Sequence, residues 1–188
     1  MHAVDLYERH HLSIDDYHKM AEVGILAPDV NVELIEGEII DMAPIGSQHA
    51  GMVAYLIDLL THQLAKKAII NVQNPIILGT QSEPQPDLLI LKPRKDFYRQ
   101  AHPKPDDVFL LIEISDTTLQ YDREIKIPLY ATYNIPEIWL VNIKEQRLEI
   151  YRTPQPGSKL YQDIKLLDRG TASPLALEMS VDVNALFE

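Results

Sequence analysis

The sequence predicts a single α/β domain over residues 1–188, built on a mixed central β-sheet flanked by helices. Three observations predict it. Leu88–Leu91 and Val108–Ile114 are short, nearly all-apolar runs of the kind found in strands covered on both faces. Residues 48–66 carry Val53, Leu56, Ile57, Leu60 and Leu64 at helical spacing. The order of elements is helix, hairpin, helix, strands, helix, strands, with no internal repeat, low-complexity tract or linker. A chain of 188 residues is long enough to bury a core.

Taken in order, Ser13 precedes Ile14–Ala21 and forms a capping-box pattern with Asp16, and Gly24 supplies a stop. Two strand-like runs, within 32–42, flank Glu36-Gly37 and read as a tight hairpin. After the helix at 48–66, Ile69–Leu78 reads as a strand that Asn74-Pro75 breaks or bulges. The two apolar strands follow. Asp122–Tyr133 is expected to be helical, with Pro128 bending it or shifting its start. Ile138–Val141 and Arg147–Tyr151 are further strands, and Thr153–Ser158 is a turn. Strand character returns at Ile164–Leu167 and at Leu175–Val181.

Composition narrows the function classes. A hydrophobic fraction of 46% belongs to a folded protein, and no apolar run is long enough to span a bilayer. Met1–Arg9 has no apolar block, so no secretory leader is expected there. The absence of cysteine excludes disulfides and thiolate zinc sites. A cytoplasmic protein with no membrane partner fits these features. The net charge of −11 argues against a simple nucleic-acid coat. Its distribution is uneven, however: residues 1–60 hold 11 acids and 2 bases, and the rest hold 17 acids and 15 bases. Lys92–Lys104 contains Lys92, Arg94, Lys95, Arg99 and Lys104 against Asp96 alone, either as a solvated loop or as a polyanion contact.

Glu113 carries the most chemical information. It interrupts an apolar strand, and burying a carboxylate there costs several kcal/mol unless it is paired or bound to a metal. The alternative is a strand end at which Glu113 meets solvent. Asp87 opens the preceding strand after Pro86, a pairing that also serves as ordinary turn chemistry. Two carboxylates at the ends of adjacent central strands can converge on one hard cation. Mg²⁺, with Mn²⁺ as its substitute, takes oxygen ligands and needs only one or two carboxylates from the protein. Lys126, on the next helix, would orient a water or stabilise developing charge beside them. Asp122 and Tyr130 share its helix face at i−4 and i+4; the alternative is an exposed Asp122–Lys126 pair. Alternation places Glu33 and Ile35 on one strand face, expected to point outward. His49, just before the amphipathic helix, reads as a cap or surface group, and His10-His11 as surface residues. No Ser-His-Asp arrangement, phosphate-cradling glycine loop or dinucleotide fingerprint is present.

From about Ser13 to Tyr151 the chain resembles the Uma-type (Uma-two) family of restriction-endonuclease-like proteins. The resemblance rests on Glu33–Ile39 with Met42-Ala43-Pro44, on His49, and on Pro86-Asp87-Leu88. It continues through Glu113-Ile114-Ser115, Asp122–Lys126, Tyr130 and Ile135–Val141. It implies a restriction-endonuclease core of PD-(D/E)XK type, with Asp87 and Glu113 at the metal-binding acid positions and Glu33 as an additional acid. The wider superfamily places its lysine two residues after the second acid, where this chain has Ser115. The resemblance implies that Lys126, on the helix, supplies that charge instead. His49, Ser115, Asp122 and Tyr130 would support the metal pair from behind.

The expected function is a metal-dependent endonuclease acting on DNA, with Glu33, Asp87, Glu113 and Lys126 as its catalytic residues, working as a homodimer. The alternatives are an inactive nuclease-like domain that binds nucleic acid or protein, and a purely structural homo-oligomer.

Overall fold

A computed structural model describes residues 9–188, so the expectation about a leader at the start of the chain falls almost wholly outside the described residues. Two compact units divide the chain, Met1–Met42 with Ile77–Pro84, and Ala43–Ile76 with Gln85–Glu188.

In the first unit, Ser13 caps helix α1 (Ile14–Glu22). The Asp16 N–H donates to Ser13 Oγ, and the Ser13 N–H donates back to Asp16 Oδ2, each at 3.1 Å. This reciprocal box satisfies donors that the first turn leaves open. Strands β1 (Val32–Ile35) and β2 (Glu38–Asp41) pair antiparallel. Glu36 and Gly37 join them with φ of 47° and 83°, the left-handed pair that a two-residue hairpin requires. All four β1 residues are buried, Glu33 at 2% exposure, so the outward placement expected for it is corrected. β1 has β2 on one edge and a Leu34–Glu83 bridge on the other, so its backbone is paired on both sides.

The second unit begins with helix α2 (Ser47–Leu64), which buries Val53, Leu56, Leu60 and Leu64. A six-stranded sheet follows in spatial order β3 (Ile69–Val72), β4 (Leu88–Leu91), β5 (Val108–Ser115), β6 (Glu137–Asn142), β7 (Arg147–Gln155) and β8 (Leu160–Leu167). β5 and β6 are parallel and every other neighbouring pair is antiparallel, which makes the sheet mixed, as expected. The buried face of α2 forms one core with Leu88, Ile90, Leu110, Ile112, Ile114, Trp139 and Val141. Strand alternation therefore turns Glu113 and Ser115 to the opposite face of the sheet. That face meets a helical segment made of α3 (Leu119–Tyr121), a π-turn over Asp122–Lys126, and α4 (Ile127–Thr132).

Several boundaries differ from the expected ones. The strand at 69–78 ends at Val72, because Gln73 takes a left-handed φ of 49° just before Asn74-Pro75. The helix expected from Asp122 starts at Leu119, and its π-turn lies immediately ahead of Pro128, where a wider turn relieves the clash and the lost N–H of proline. β7 continues through the expected turn to Gln155. Pairing with β6 stops at Arg152, so Pro154 occupies a stretch flanked by β8 alone, and the turn moves to Pro156–Ser158. The strand expected at Leu175–Val181 shrinks to β10 (Val181–Asp182), which pairs with β9 (Thr171–Ala172). Leu175 donates its N–H to the buried Glu137 Oε2 at 2.7 Å instead of to a ladder.

Candidate active site

The β4–β5 register, with Leu88 opposite Ile112, brings Asp87 to one end of the sheet beside Glu113. The Asp87 N–H approaches Glu113 Oε2 at 3.4 Å, and the Ile114 N–H donates to Asp87 Oδ2 at 2.8 Å. Across the face, Lys126 Nζ lies 3.1 Å from Glu113 Oε1, and the Tyr130 hydroxyl donates to the same oxygen at 2.6 Å. Glu113, Lys126 and Tyr130 are all buried. The solvent-meeting alternative for Glu113 and the exposed-pair alternative for Lys126 therefore both fall away.

The remaining predicted residues sort clearly. His49 is not a surface group: its Nε2 lies 3.0 Å from Asp87 Oδ1, with the side chain 15% exposed. The helical start at Ser47 puts His49 in the first turn of α2, where the ring reaches the end of the sheet. Its Nδ1 is buried without a hydrogen-bond partner. Ser115 supplies no charge. Its hydroxyl donates to Asp122 Oδ2 at 2.5 Å, and the Thr118 hydroxyl donates to the same oxygen at 2.7 Å. These bonds fasten the start of the π-turn to the end of β5. Glu33 belongs to the first compact unit, while the other predicted residues all belong to the second.

Sequence reasoning missed five members. Gln73 donates to Asp87 Oδ1 at 3.3 Å from the break just before Asn74-Pro75, and nothing about its own residue type marks it. Thr118 lies ahead of the helix start expected at Asp122. Arg123, in the π-turn, makes a two-point contact with Glu149 on β7, and the Tyr151 hydroxyl donates to Glu149 at 2.6 Å. Glu149 repeats the arrangement at Glu113: a buried carboxylate on the same sheet face, held by one cation and one tyrosine. The acid inside the apolar run Leu148-Glu149-Ile150 is the signal that could have found it. The helical segment is thus tied to the sheet through Asp122, Arg123, Lys126 and Tyr130.

Burial pushes the Glu113 carboxyl up to about 8, with Lys126 pulling it down and Asp122 and Asp87 adding to the rise. Burial also raises Asp122. The hydrogen bond to Asp87 raises His49, against the effect of its own desolvation. Burial is the main cause of both rises, and Lys126 offsets it only in part. Asp87 and Glu113 offer the hard oxygens that a divalent cation prefers, and such a cation would offset the cost of ionising Glu113. Among the described residues no group of three or more His, Asp or Glu side chains is arranged to hold a metal. A cation here would rest on the carboxylate pair and on waters, which Mg²⁺ accepts.

These features define a nuclease-like α/β fold. The chain is similar to a solved structure from Anabaena variabilis ATCC 29413, described as "a putative nuclease belonging to DUF820". The TM-score is 0.71 and the identity 17%, covering 94% of this chain and 97% of that one. The chain belongs to the Uma2 family, described as "Putative restriction endonuclease", whose model matches residues 14–184. No curated protein matches the sequence. Among the described residues no helix is long and apolar enough to cross a membrane.

Proposed function

We propose that this protein is a divalent-metal-dependent endonuclease that hydrolyses DNA phosphodiesters at the Asp87–Glu113–Lys126 site. The observation that carries the reading is the convergence of a buried lysine and two acids at one end of the sheet, with Lys126 Nζ at 3.1 Å and the Asp87 N–H at 3.4 Å from opposite oxygens of Glu113. Asp87 and Glu113 would hold Mg²⁺ or Mn²⁺. A bound cation supplies Lewis acidity toward a phosphoryl oxygen and a more acidic water. The Lys126 amine lies next to Glu113, where negative charge would build on the phosphate. Tyr130 fixes the Glu113 rotamer, and His49 and Gln73 fix that of Asp87. Ser115 and Thr118 anchor Asp122 and so set the height of Lys126 over the sheet. A nicking assay on single- and double-stranded DNA with Mg²⁺ or Mn²⁺ tests this. Wild type should cut and Asp87→Ala and Lys126→Ala should not; cutting that survives both substitutions refutes the assignment.

A second reading has an observation of its own. Glu113 is satisfied by Lys126 and Tyr130 as a closed polar network, which can serve as a structural element of a non-catalytic binding domain. Salt-sensitive DNA binding with no metal uptake and no turnover would favour it. The reading includes a homodimer in the cytoplasm. The edge strand β8 supports the dimer by exposing Leu160, Ile164 and Leu166 along one face, and light scattering tests it.

A further inference from the structure

The loop between β4 and β5 lies at the opposite end of this hairpin from Asp87, since Leu91 pairs with Val108 there. It has no regular secondary structure over 92–104, yet its residues are bonded to one another. Arg94 binds Asp96 through two nitrogens at 2.6 and 3.0 Å, donates to the Ala101 carbonyl at 3.2 Å, and stacks 3.9 Å from the Tyr98 ring centre. The Tyr98 hydroxyl donates to the Lys92 carbonyl at 2.9 Å. The N–H groups of Phe97 and Arg99 close turns onto the Arg94 and Asp96 carbonyls, each at 3.1 Å.

This clamp holds Phe97 and Tyr98 in consecutive left-handed conformations, φ 53° and 59°. Bulky residues avoid that region, and such strain persists only where the surroundings impose it. The two rings have opposite fates. Tyr98 is buried beneath Arg94, whereas Phe97 is 65% exposed at the tip. The same loop carries Lys92, Lys95, Arg99 and Lys104, all exposed, and none is in an ion pair among the described residues. On the acidic side, Asp96 is taken by Arg94, Asp107 accepts the Lys104 N–H at 2.9 Å, and Asp106 is exposed. In a chain of net charge −11, residues 92–107 hold five cations against three acids and display one aromatic ring, which makes the loop a local positive feature.

We propose that this loop is a binding site for single-stranded nucleic acid, separate from the hydrolytic site, in which Phe97 stacks on an unpaired base and the loop lysines and Arg99 contact the flanking phosphates. The cations neutralise backbone charge without reading sequence, and the ring accepts any base face. Stacking on Phe97 requires a base free of its duplex partner, so single strands or frayed ends are the favoured form. The proposal rests on the nucleic-acid reading above and concerns affinity, with no part in the chemistry.

The test uses a labelled oligothymidylate in metal-free buffer, so that binding is read without cleavage. Wild type should bind with a marked salt dependence. Phe97→Ala should weaken binding about tenfold, within the range of one lost base stack. Lys95→Glu with Arg99→Glu should flatten the slope of log affinity against log salt by about 1.4, at about 0.7 per single-strand phosphate contact. Phe97→Trp should retain affinity, and its fluorescence should be quenched on binding; the only other tryptophan, Trp139, is 1% exposed and serves as a silent internal reference. Wild-type-like binding by the alanine and double-glutamate variants overturns the proposal. So does a wild type that ignores the oligonucleotide but binds phosphatidylserine vesicles through the same residues. Loop-dependent binding in a protein that never cuts DNA would defeat the nuclease reading and leave this one intact.

Discussion

Replacing Lys126 with methionine keeps the apolar stem and removes the ammonium beside Glu113, at 3.1 Å and buried. Burial already pushes Glu113 up to about 8, and Lys126 is the largest influence holding it down. At pH 7 the carboxyl is mostly protonated in the metal-free wild type, so the variant loses chiefly a hydrogen bond from a charged donor, about 1.5–3 kcal/mol. The pH dependence separates the two proteins more sharply. A folded carboxyl whose pKa is raised from 4.5 to about 8 binds protons that the unfolded chain has released. Its contribution to stability is complete below 4.5 and is lost as pH climbs toward 8. Above 8 the wild-type curve should level off. In Lys126→Met the carboxyl titrates higher still, so the loss should continue at up to about 1.4 kcal/mol per pH unit. Urea unfolding without divalent metal at pH 7, 8 and 9 reads this directly. The variant should lose about 1 kcal/mol more than wild type between pH 8 and 9. Parallel curves over that interval would refute the coupling of Lys126 to Glu113.

Other substitutions probe the frame around the site. Arg123→Met leaves the buried Glu149 with Tyr151 as its remaining named donor and should cost about 3–5 kcal/mol, read as a lower urea midpoint. Gly37→Ala puts a methyl 2.5 Å from His11 Cβ at a φ of 83°, and should lower the thermal midpoint by the equivalent of more than about 1 kcal/mol. Leu60→Ala empties a fully buried position on α2 and should cost about 2–5 kcal/mol in the same urea experiment.

The parts of the fold that could be read in the sequence were those with a local physical signature. Ser13 and Asp16 make their capping box with side chains three residues apart. Glu36-Gly37 makes its turn through left-handed backbone, and the spacing of Val53, Leu56, Leu60 and Leu64 marks the core side of α2. Glu113 was legible because one acid among apolar residues needs a partner, and Tyr130 and Lys126 shared a helical spacing. What could not be read depended on tertiary structure. Nothing near His49 announces Asp87, which lies 38 positions away and is brought there by the start of α2 meeting the start of β4. The π-turn has no composition of its own; it reflects Pro128 ahead and the bonds of Asp122 behind. β1 looked half-exposed by alternation, and its second neighbour, the segment at Glu83, comes from another part of the chain.

Titration of Mn²⁺ into the metal-free protein, followed by calorimetry, addresses the Asp87–Glu113 pair without recourse to a substrate. Wild type should take up the ion with proton release as Glu113 ionises, and Asp87→Asn and Glu113→Gln should each abolish uptake while remaining folded. Unchanged uptake in both variants, or none in the wild type, would contradict a metal site built on these two carboxylates.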